Sequence, residues 1–186
     1  MTTTAPSRTL IPTGTWVVDP SHSRVEFQVK HLGIASVRGD FEAFEGVLEI
    51  GEDPSSSKAY GTVEPASVNT NDEKRDEHLR SADFFDSEQH GRIDFASTSI
   101  VPVGDDRFEI KGDLTIRGIT REVRLVAEVT GTERDPWGNE RVGLEVTGEI
   151  DRGDYGISFN QVLGSGNVLV SEKVKLHLDV SAVKQA

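Results

Sequence analysis

Apolar and polar residues alternate along most of this chain with a period of two, which is typical of β-strands that bury one face. The alternating runs cover residues 22–30, 93–97, 108–116, 123–129, 142–150 and 174–180. In the run at 123–129, one face of the strand would carry Val123, Leu125, Ala127 and Val129. Strands of parallel sheets are usually apolar on both faces, so the alternation favours antiparallel pairing. The pattern therefore predicts an all-β fold.

Most of these runs are separated by short turns, for example at Gly118 and at residues 135–139, which favours a meander of neighbouring strands. A long meander avoids exposed edges by closing on itself. A barrel of about eight strands is just wide enough for side chains, or for one small ligand. We predict an extended antiparallel β-barrel of roughly eight strands. The 186 residues contain no repeat or linker, which indicates one domain over residues 15–184 after a flexible tail at 1–14.

Two of the predicted strands contain irregular positions. Residues 37–50 form one long extended stretch in which Phe41 and Phe44 are separated by an odd step. Both rings can face the same side only if a bulge or bend lies between them. The strand predicted at 59–68 contains Pro65, which has no backbone N–H to donate. We expect that strand to lie at an edge or to be bulged at Pro65.

One segment, residues 75–86, is predicted to form a short helix after the fourth strand region. Thr70 and Glu73 fit a capping box, in which a hydroxyl and a carboxylate satisfy N–H groups of the first turn. The apolar stripe of this helix is thin, and the segment ends in Phe84 and Phe85. A polar helix that ends in two rings predicts a plug that docks on the barrel by its end.

Charge and composition exclude several classes of function. The net charge of −12 argues against nucleic-acid binding and disfavours adsorption to an anionic membrane. The absence of cysteine excludes thiol catalysis, disulfides and cysteine-ligated zinc. Residues 1–14 lack the features of a secretory signal, and no apolar run has transmembrane length. We therefore expect a cytoplasmic protein with no transmembrane segment.

Ordered blocks of residues carry a more specific signal. They lie within residues 16–27, 30–33, 37–41, 67–70, 75–86, 112–120 and 151–156. Among them are Lys30-His31-Leu32-Gly33, Gly112-x-Leu114-Thr115-Ile116-Arg117-Gly118 and Asp151-Arg152-x-Asp154-Tyr155-Gly156. In this order and spacing the chain resembles the YceI-like family of polyisoprenoid-binding, lipocalin-like barrel proteins. The resemblance covers nearly everything after Gly14.

The resemblance implies a lipocalin-like barrel whose interior takes a long isoprenoid chain, such as a quinone tail, or another long-chain lipid. It also suggests a homodimer. Secreted members of the family have signal peptides. Residues 1–14 lack the features of one, so this chain looks like the cytoplasmic kind. The resemblance implies no cofactor other than the lipid ligand itself.

The interior of the barrel could be a packed core or a lipid tunnel. Apolar stripes usually mean a packed core. The resemblance favours a tunnel, and so does the small size of interior residues such as Gly112, Ala127 and Gly148. We expect the tunnel to be lined by Val25, Phe27, Val29, Phe41, Leu48, Phe84, Phe85, Phe95, Phe108, Ile110, Leu114, Leu125, Ala127, Val129, Leu144, Val146, Leu176 and Leu178.

Five polar side chains are candidates for the mouth of the tunnel, namely His22, Arg38, Arg75, Asp76 and His78. Arg75 and Asp76 could hold a lipid head group, but adjacent helix residues point apart. We favour a structural role for both, tying the helix to the barrel. The histidines match no helix-borne zinc pair or catalytic motif. We therefore expect no metal site and no catalytic residue.

Three functions remain compatible with these observations. The leading hypothesis is a non-enzymatic carrier, store or protector of a long-chain isoprenoid lipid of the quinone or polyprenyl type. The second is a small hydrolase or isomerase at the barrel mouth that uses His22 and nearby carboxylates. The third is a structural or stress-interaction module with a filled barrel.

Overall fold

The computed structural model describes residues 11–161, 163 and 169–186, which form eleven strands and one α-helix. Short 3-10 turns lie at Pro20–His22, Pro54–Ser56, Pro65–Ser67 and Arg152–Tyr155. The strands and the helix, in chain order, are β1 (Gly14–Val18), β2 (Arg24–His31), β3 (Ala35–Phe41), β4 (Phe44–Ile50), β5 (Lys58–Val63), β6 (Val68–Asn69), α1 (Glu73–Arg80), β7 (Ile93–Pro102), β8 (Arg107–Ile116), β9 (Ile119–Arg134), β10 (Glu140–Asp151) and β11 (Lys173–Lys184).

Antiparallel pairing closes the strands into a barrel. The order around it is β1-β4-β5-β7-β8-β9-β10-β11, and β11 pairs with β1. β2 continues β1, β3 leads into β4, and β6 continues β5, while β2 pairs with both β11 and β3, and β3 pairs with β6. The barrel thus has eight long strands, three of which are interrupted. The predicted closed antiparallel barrel of eight strands is confirmed.

The interruptions explain the irregular positions in the sequence. The predicted stretch 37–50 is two strands separated at Glu42 and Ala43 by a bend, so that Phe41 and Phe44 both line the interior. The predicted strand 59–68 is also divided. Pro65 is buried in the 3-10 turn between β5 and β6 rather than in a strand, because a residue without an N–H is better accommodated at a break.

The chain before β1 packs on the barrel from Ile11 onward. Ile11 is buried, and the carbonyl of Pro12 accepts a hydrogen bond of 3.0 Å from the indole N–H of Trp16. Trp16 is fully buried. Residues 1–10 of the predicted tail lie outside the described residues. Its predicted boundary at residue 14 stays a prediction, while β1 begins at Gly14 and β11 ends at Lys184.

Helix α1 is shorter than predicted and is capped differently. It ends at Arg80, and its N-cap is Asp72, whose side chain accepts a hydrogen bond from the backbone N–H of Arg75. The predicted capping box is therefore wrong. The hydroxyl of Thr70 bonds instead to the side chains of Asp76 and Arg75.

Thr70, Arg75 and Asp76 form a latch that holds α1 to the end of β6. The backbone N–H and the hydroxyl of Thr70 both donate to Asp76 Oδ1, at 2.9 and 2.5 Å. Arg75 donates to the hydroxyl and to the carbonyl of Thr70, at 2.8 and 2.6 Å. Asp76 is buried, so it has little water with which to replace these bonds. The latch thus depends on Asp76.

Arg141 joins two turns across the last strand of the barrel. It donates to Asp19, in the break between β1 and β2, at 3.0 Å and to Asp135, in the β9–β10 turn, at 2.8 Å. The Arg141 guanidinium lowers the pKa of Asp135 to about 2. Hydrogen bonds from Ser21 and then from Arg141 hold the pKa of Asp19 well below its usual range. Both carboxylates therefore stay ionised in the folded protein.

We predict that Arg141→Gln lowers the melting temperature at pH 7, because it leaves two carboxylates without their cation. A depressed folded-state pKa gives stability that is present above the unfolded pKa of about 3.9 and is lost as the pH falls through the folded value. The difference between wild type and variant should shrink between about pH 4 and pH 2. Thermal unfolding followed by circular dichroism across this range measures it.

The control for this experiment is Arg134→Gln. Arg134 lies nearby but is exposed. Its ion pair with Glu140 is long, at 3.9 Å, and such surface pairs contribute about 0–1 kcal/mol. A melting temperature of Arg141→Gln that equals that of Arg134→Gln at pH 7 would contradict a stabilising role for Arg141.

A second prediction concerns the latch. Asp76→Ala leaves the N–H and the hydroxyl of Thr70 without an acceptor, and each unsatisfied buried group costs about 1–3 kcal/mol. We expect a marked loss of thermal stability and little change in affinity for a lipid probe. Asp76→Asn keeps one acceptor oxygen and should lose less. An affinity loss that exceeds the stability loss would place Asp76 in the binding site instead.

Candidate ligand-binding cavity

The barrel encloses a cavity of about 520 Å³ with an almost wholly apolar lining. This volume lies within the range of about 300–1,000 Å³ that is usual for small-molecule sites. On β8 the lining runs from Phe108 to Ile116, and the eight residue-to-residue steps between them, at about 3.3 Å each, span about 26 Å. The cavity therefore extends along the strands, which suits an elongated apolar ligand.

The structure places nearly all of the predicted tunnel residues around this cavity. The lining includes Val25, Phe27, Val29, Phe41, Leu48, Phe84, Phe85, Phe95, Phe108, Ile110, Leu114, Leu125, Ala127, Leu144, Val146, Leu176 and Leu178. Val129 is the exception. It is buried with the same parity as Ala127, toward the end of the barrel that Trp16, Val142 and Ala182 fill.

In three places, a glycine on one strand makes room for a large side chain of the adjacent strand. A Cβ atom on Gly39 would lie 2.5 Å from the ring of Phe27, and one on Gly112 would lie 2.5 Å from the ring of Phe95. A Cβ on Gly148 would meet Leu125 at 2.4 Å. Because these glycines have no side chain, the large side chains beside them can lie against the barrel wall and leave the centre of the lumen free. Sequence reasoning recognised the room left by Gly112 and Gly148 but missed Gly39.

Two aromatic clusters lie at the end of the cavity that α1 covers. Phe85 packs against Phe27 and Phe41, with ring centroids 6.4 and 5.5 Å away. Phe159 packs against His78 and Phe84, at 4.8 and 5.4 Å. The predicted docking of the helix segment by its two terminal rings matches these contacts. Phe159 was missed because its segment has no regular alternation.

The five candidate polar mouth residues do not form one cluster. Arg75 and His78 line the cavity, and His78 Nε2 lies 2.8 Å from Asp83. Asp76 belongs to the latch and is not part of the lining. His22 and Arg38 are exposed and do not line the cavity either. Of the five candidates, only Arg75 and His78, both on the helix, therefore reach the lumen.

Two further lining residues, Arg152 and Tyr155, lie in the 3-10 turn after β10 and were not predicted. Arg152 is buried and donates to three carbonyls, those of Ser171, Ile157 and Val170, at 2.9, 3.0 and 3.3 Å. Burial lowers the pKa of Arg152. These bonds fix the segment after the turn along the cavity wall. The Asp151-Arg152-x-Asp154-Tyr155-Gly156 block was the signal that could have found this pair.

Tyr155 is almost fully buried, and its hydroxyl has no hydrogen-bond partner among the described residues. Burial raises the pKa of Tyr155 to about 12. The phenol is therefore neutral at physiological pH, and it adds no charge to the apolar lining.

Ser21, His22 and Asp19 meet in an exposed turn outside the cavity, and their geometry does not support catalysis. Asp19 Oδ2 and Ser21 Oγ lie 2.8 and 3.0 Å from the same ring nitrogen, His22 Nδ1. A catalytic triad needs the carboxylate and the nucleophile on opposite ring nitrogens. The side chain of His22 is 66% exposed, so water is not excluded from it. The hydrolase hypothesis thus has no assembled site at His22.

The described residues contain no group of three or more His, Asp or Glu side chains placed to hold a metal ion. The same residues include no helix that is long and apolar enough to cross a membrane.

Comparisons with known proteins place this chain in a family. A UPF0312 protein of Staphylococcus aureus strain MSSA476 is 41% identical over 160 residues, which cover 84% of this chain and 90% of the relative. The crystal structure of BcnA from Burkholderia cenocepacia matches with a TM-score of 0.77 and 19% identity, covering 88% of this chain and 98% of that one. A polyisoprenoid binding domain from Saccharophagus degradans matches with a TM-score of 0.68 and 15% identity, covering 91% and 98%.

The model of the YceI-like domain matches residues 16–182, which is nearly the whole barrel. On this match and on the identity with the staphylococcal protein, the chain belongs to the YceI-like family.

Proposed function

We propose that this protein binds a long-chain isoprenoid lipid of the quinone or polyprenyl type, or a similar amphiphile, inside the barrel. It would act as a carrier, store or protector of that lipid and not as an enzyme. The observation that carries the proposal is the apolar cavity of about 520 Å³ that follows the strands. The similarly folded Saccharophagus degradans domain is a polyisoprenoid binding domain, which supports the same class of ligand.

Burial of the ligand supplies the driving force in this proposal. Each CH₂ group moved from water into an apolar site contributes about 0.8 kcal/mol. The surface of the cavity is almost wholly apolar, so affinity should grow with chain length rather than with head-group chemistry. A homodimer and a cytoplasmic location remain predictions.

The third hypothesis, a filled barrel, fits the geometry less well. A well-packed interior leaves few voids larger than a water molecule. Here the inward faces of several strands border one shared space, from Leu48 on β4 to Leu176 on β11. Glycines beside Phe27, Phe95 and Leu125 enlarge that space. We therefore favour a lumen that holds a ligand.

The experiment that tests the proposal is uptake by delipidated protein of a fluorescent polyprenyl or quinone probe in solution. We expect saturable binding of one probe for each protein chain, with affinity rising from short to long prenyl chains. Binding that does not saturate, or affinity independent of chain length, would contradict the proposal.

Ala127→Trp tests whether the cavity is the binding site. Ala127 is buried on the cavity wall. In a packed core, the added indole would overpack the interior at a cost of about 1–3 kcal/mol. In an open lumen, it enters space otherwise held by lipid, so the unliganded protein should keep its melting temperature while probe uptake falls sharply.

Glu128→Trp is the matched control, since the next residue on the strand faces outward. Glu128 is partly exposed and 3.6 Å from Arg107, and its replacement should leave uptake unchanged. If Ala127→Trp instead destabilises the unliganded barrel and leaves uptake intact, the ligand does not occupy this part of the lumen.

A further inference from the structure

The β2–β3 hairpin presents an exposed apolar tip beside the cavity. The turn brings Leu32 and Gly33 to φ values of 57° and 72°, as a type I′ turn requires. The N–H of Ile34 donates to the carbonyl of His31 at 3.2 Å. The side chain of Ile34 is 81% exposed. The well-defined turn thus keeps the apolar side chain of Ile34 exposed to solvent.

The hairpin differs in charge from the rest of the protein. The chain carries a net charge of −12, yet residues 27–39 contain Lys30 and Arg38 and no acidic residue. The ammonium group of Lys30 is bonded to the neutral hydroxyl of Ser36. Within the described part of the chain, neither Lys30 nor Arg38 forms an ion pair with a carboxylate. Both cations are therefore available to an anionic partner.

The hairpin adjoins both the cavity and a segment of chain that carries no charged side chains. Val29, Lys30 and His31 line the cavity itself. The N–H of Leu32 donates to the carbonyl of Leu169 at 3.0 Å, and the N–H of Ser171 donates to the carbonyl of Lys30 at the same distance. Residues 157–161 and 169–171 carry no charged side chain. Residues 169–171, which bond to the hairpin, therefore carry no acid, and the first acid beyond them is Glu172.

We propose that the tip of the β2–β3 hairpin docks on an anionic lipid bilayer, with Ile34 inserted among the head groups and Lys30 and Arg38 facing lipid phosphates. The total charge of the protein opposes such contact, but charges more than about 10 Å apart are largely screened at 0.1 M salt. The electrostatic interaction with the bilayer is therefore set mainly by the charges of the hairpin itself. The purpose of docking rests on the proposed function, since the cargo would be soluble in membranes and not in water.

The test is sedimentation of the full-length protein with vesicles of phosphatidylcholine, with or without an equal share of phosphatidylglycerol, at about 0.1 M salt. We expect the protein to bind the anionic vesicles. Ile34→Asp should weaken this binding at least about tenfold through lost apolar burial and added repulsion. Arg38→Gln should weaken it about fivefold on anionic vesicles and leave binding to pure phosphatidylcholine unchanged.

Trp137→Asp is the matched control. Trp137 is 82% exposed on the β9–β10 turn, at the opposite end of the barrel, and its replacement should leave vesicle binding unchanged. Absence of vesicle binding by the wild type, or a larger loss in Trp137→Asp than in Ile34→Asp, would overturn the proposal.

Probe uptake in solution, without vesicles, separates docking from cargo binding. Ile34 does not line the cavity, so Ile34→Asp should take up the probe as the wild type does. A loss of uptake by Ile34→Asp would assign Ile34 to the cavity and overturn the docking role. If the wild type itself takes up no probe but still binds anionic vesicles, the proposed function fails and the docking surface stands.

Discussion

Backbone pairing between β1 and β11 closes the sheet, and the remaining structure depends on that closure. A closed antiparallel barrel has a diameter fixed mainly by its number of strands, not by the size of the side chains inside it. Inward residues therefore need not fill the lumen. Where Gly39, Gly112 and Gly148 lie beside larger neighbours, the fixed wall leaves a cavity instead of collapsing. Arg141 supports the closure from outside by joining Asp19 and Asp135 across the last strand.

The end of the barrel that carries α1 is built differently from the other end. Near β1, the interior is filled at the level of Trp16, Val142 and Ala182. At the α1 end, the cover is a short helix held by hydrogen bonds to Thr70 and by the rings of Phe84 and Phe85. Covers with few contacts open more readily than strands of the sheet. A ligand would therefore pass more easily near α1 and the β2–β3 hairpin.

The sequence predicted the regular part of this fold and located two of its irregular positions, but not the form that they take. Alternation at residues 123–129 places Ala127 in the lumen because a strand keeps its period while its ladder is unbroken. The odd step between Phe41 and Phe44 indicated a bend, and Pro65 indicated an edge or a bulge, but neither pattern showed that a strand ends there and a new one begins. Thr70 was mistaken for a helix cap because its hydroxyl bonds to the side chain of Asp76 and not to a backbone N–H of the first turn. Arg152 and Phe159 lie in irregular chain with no period to read, although the Arg152 block was visible as a motif.

Mass spectrometry of organic extracts can show whether the lumen holds a long apolar lipid. The protein would be purified from cells without detergent, extracted and analysed beside Ala127→Trp prepared in the same way. We expect the wild type to carry an isoprenoid lipid in near-equal molar amount and the variant to be depleted of it. Wild-type extracts that contain no such lipid, or equal amounts of lipid from both proteins, would contradict it.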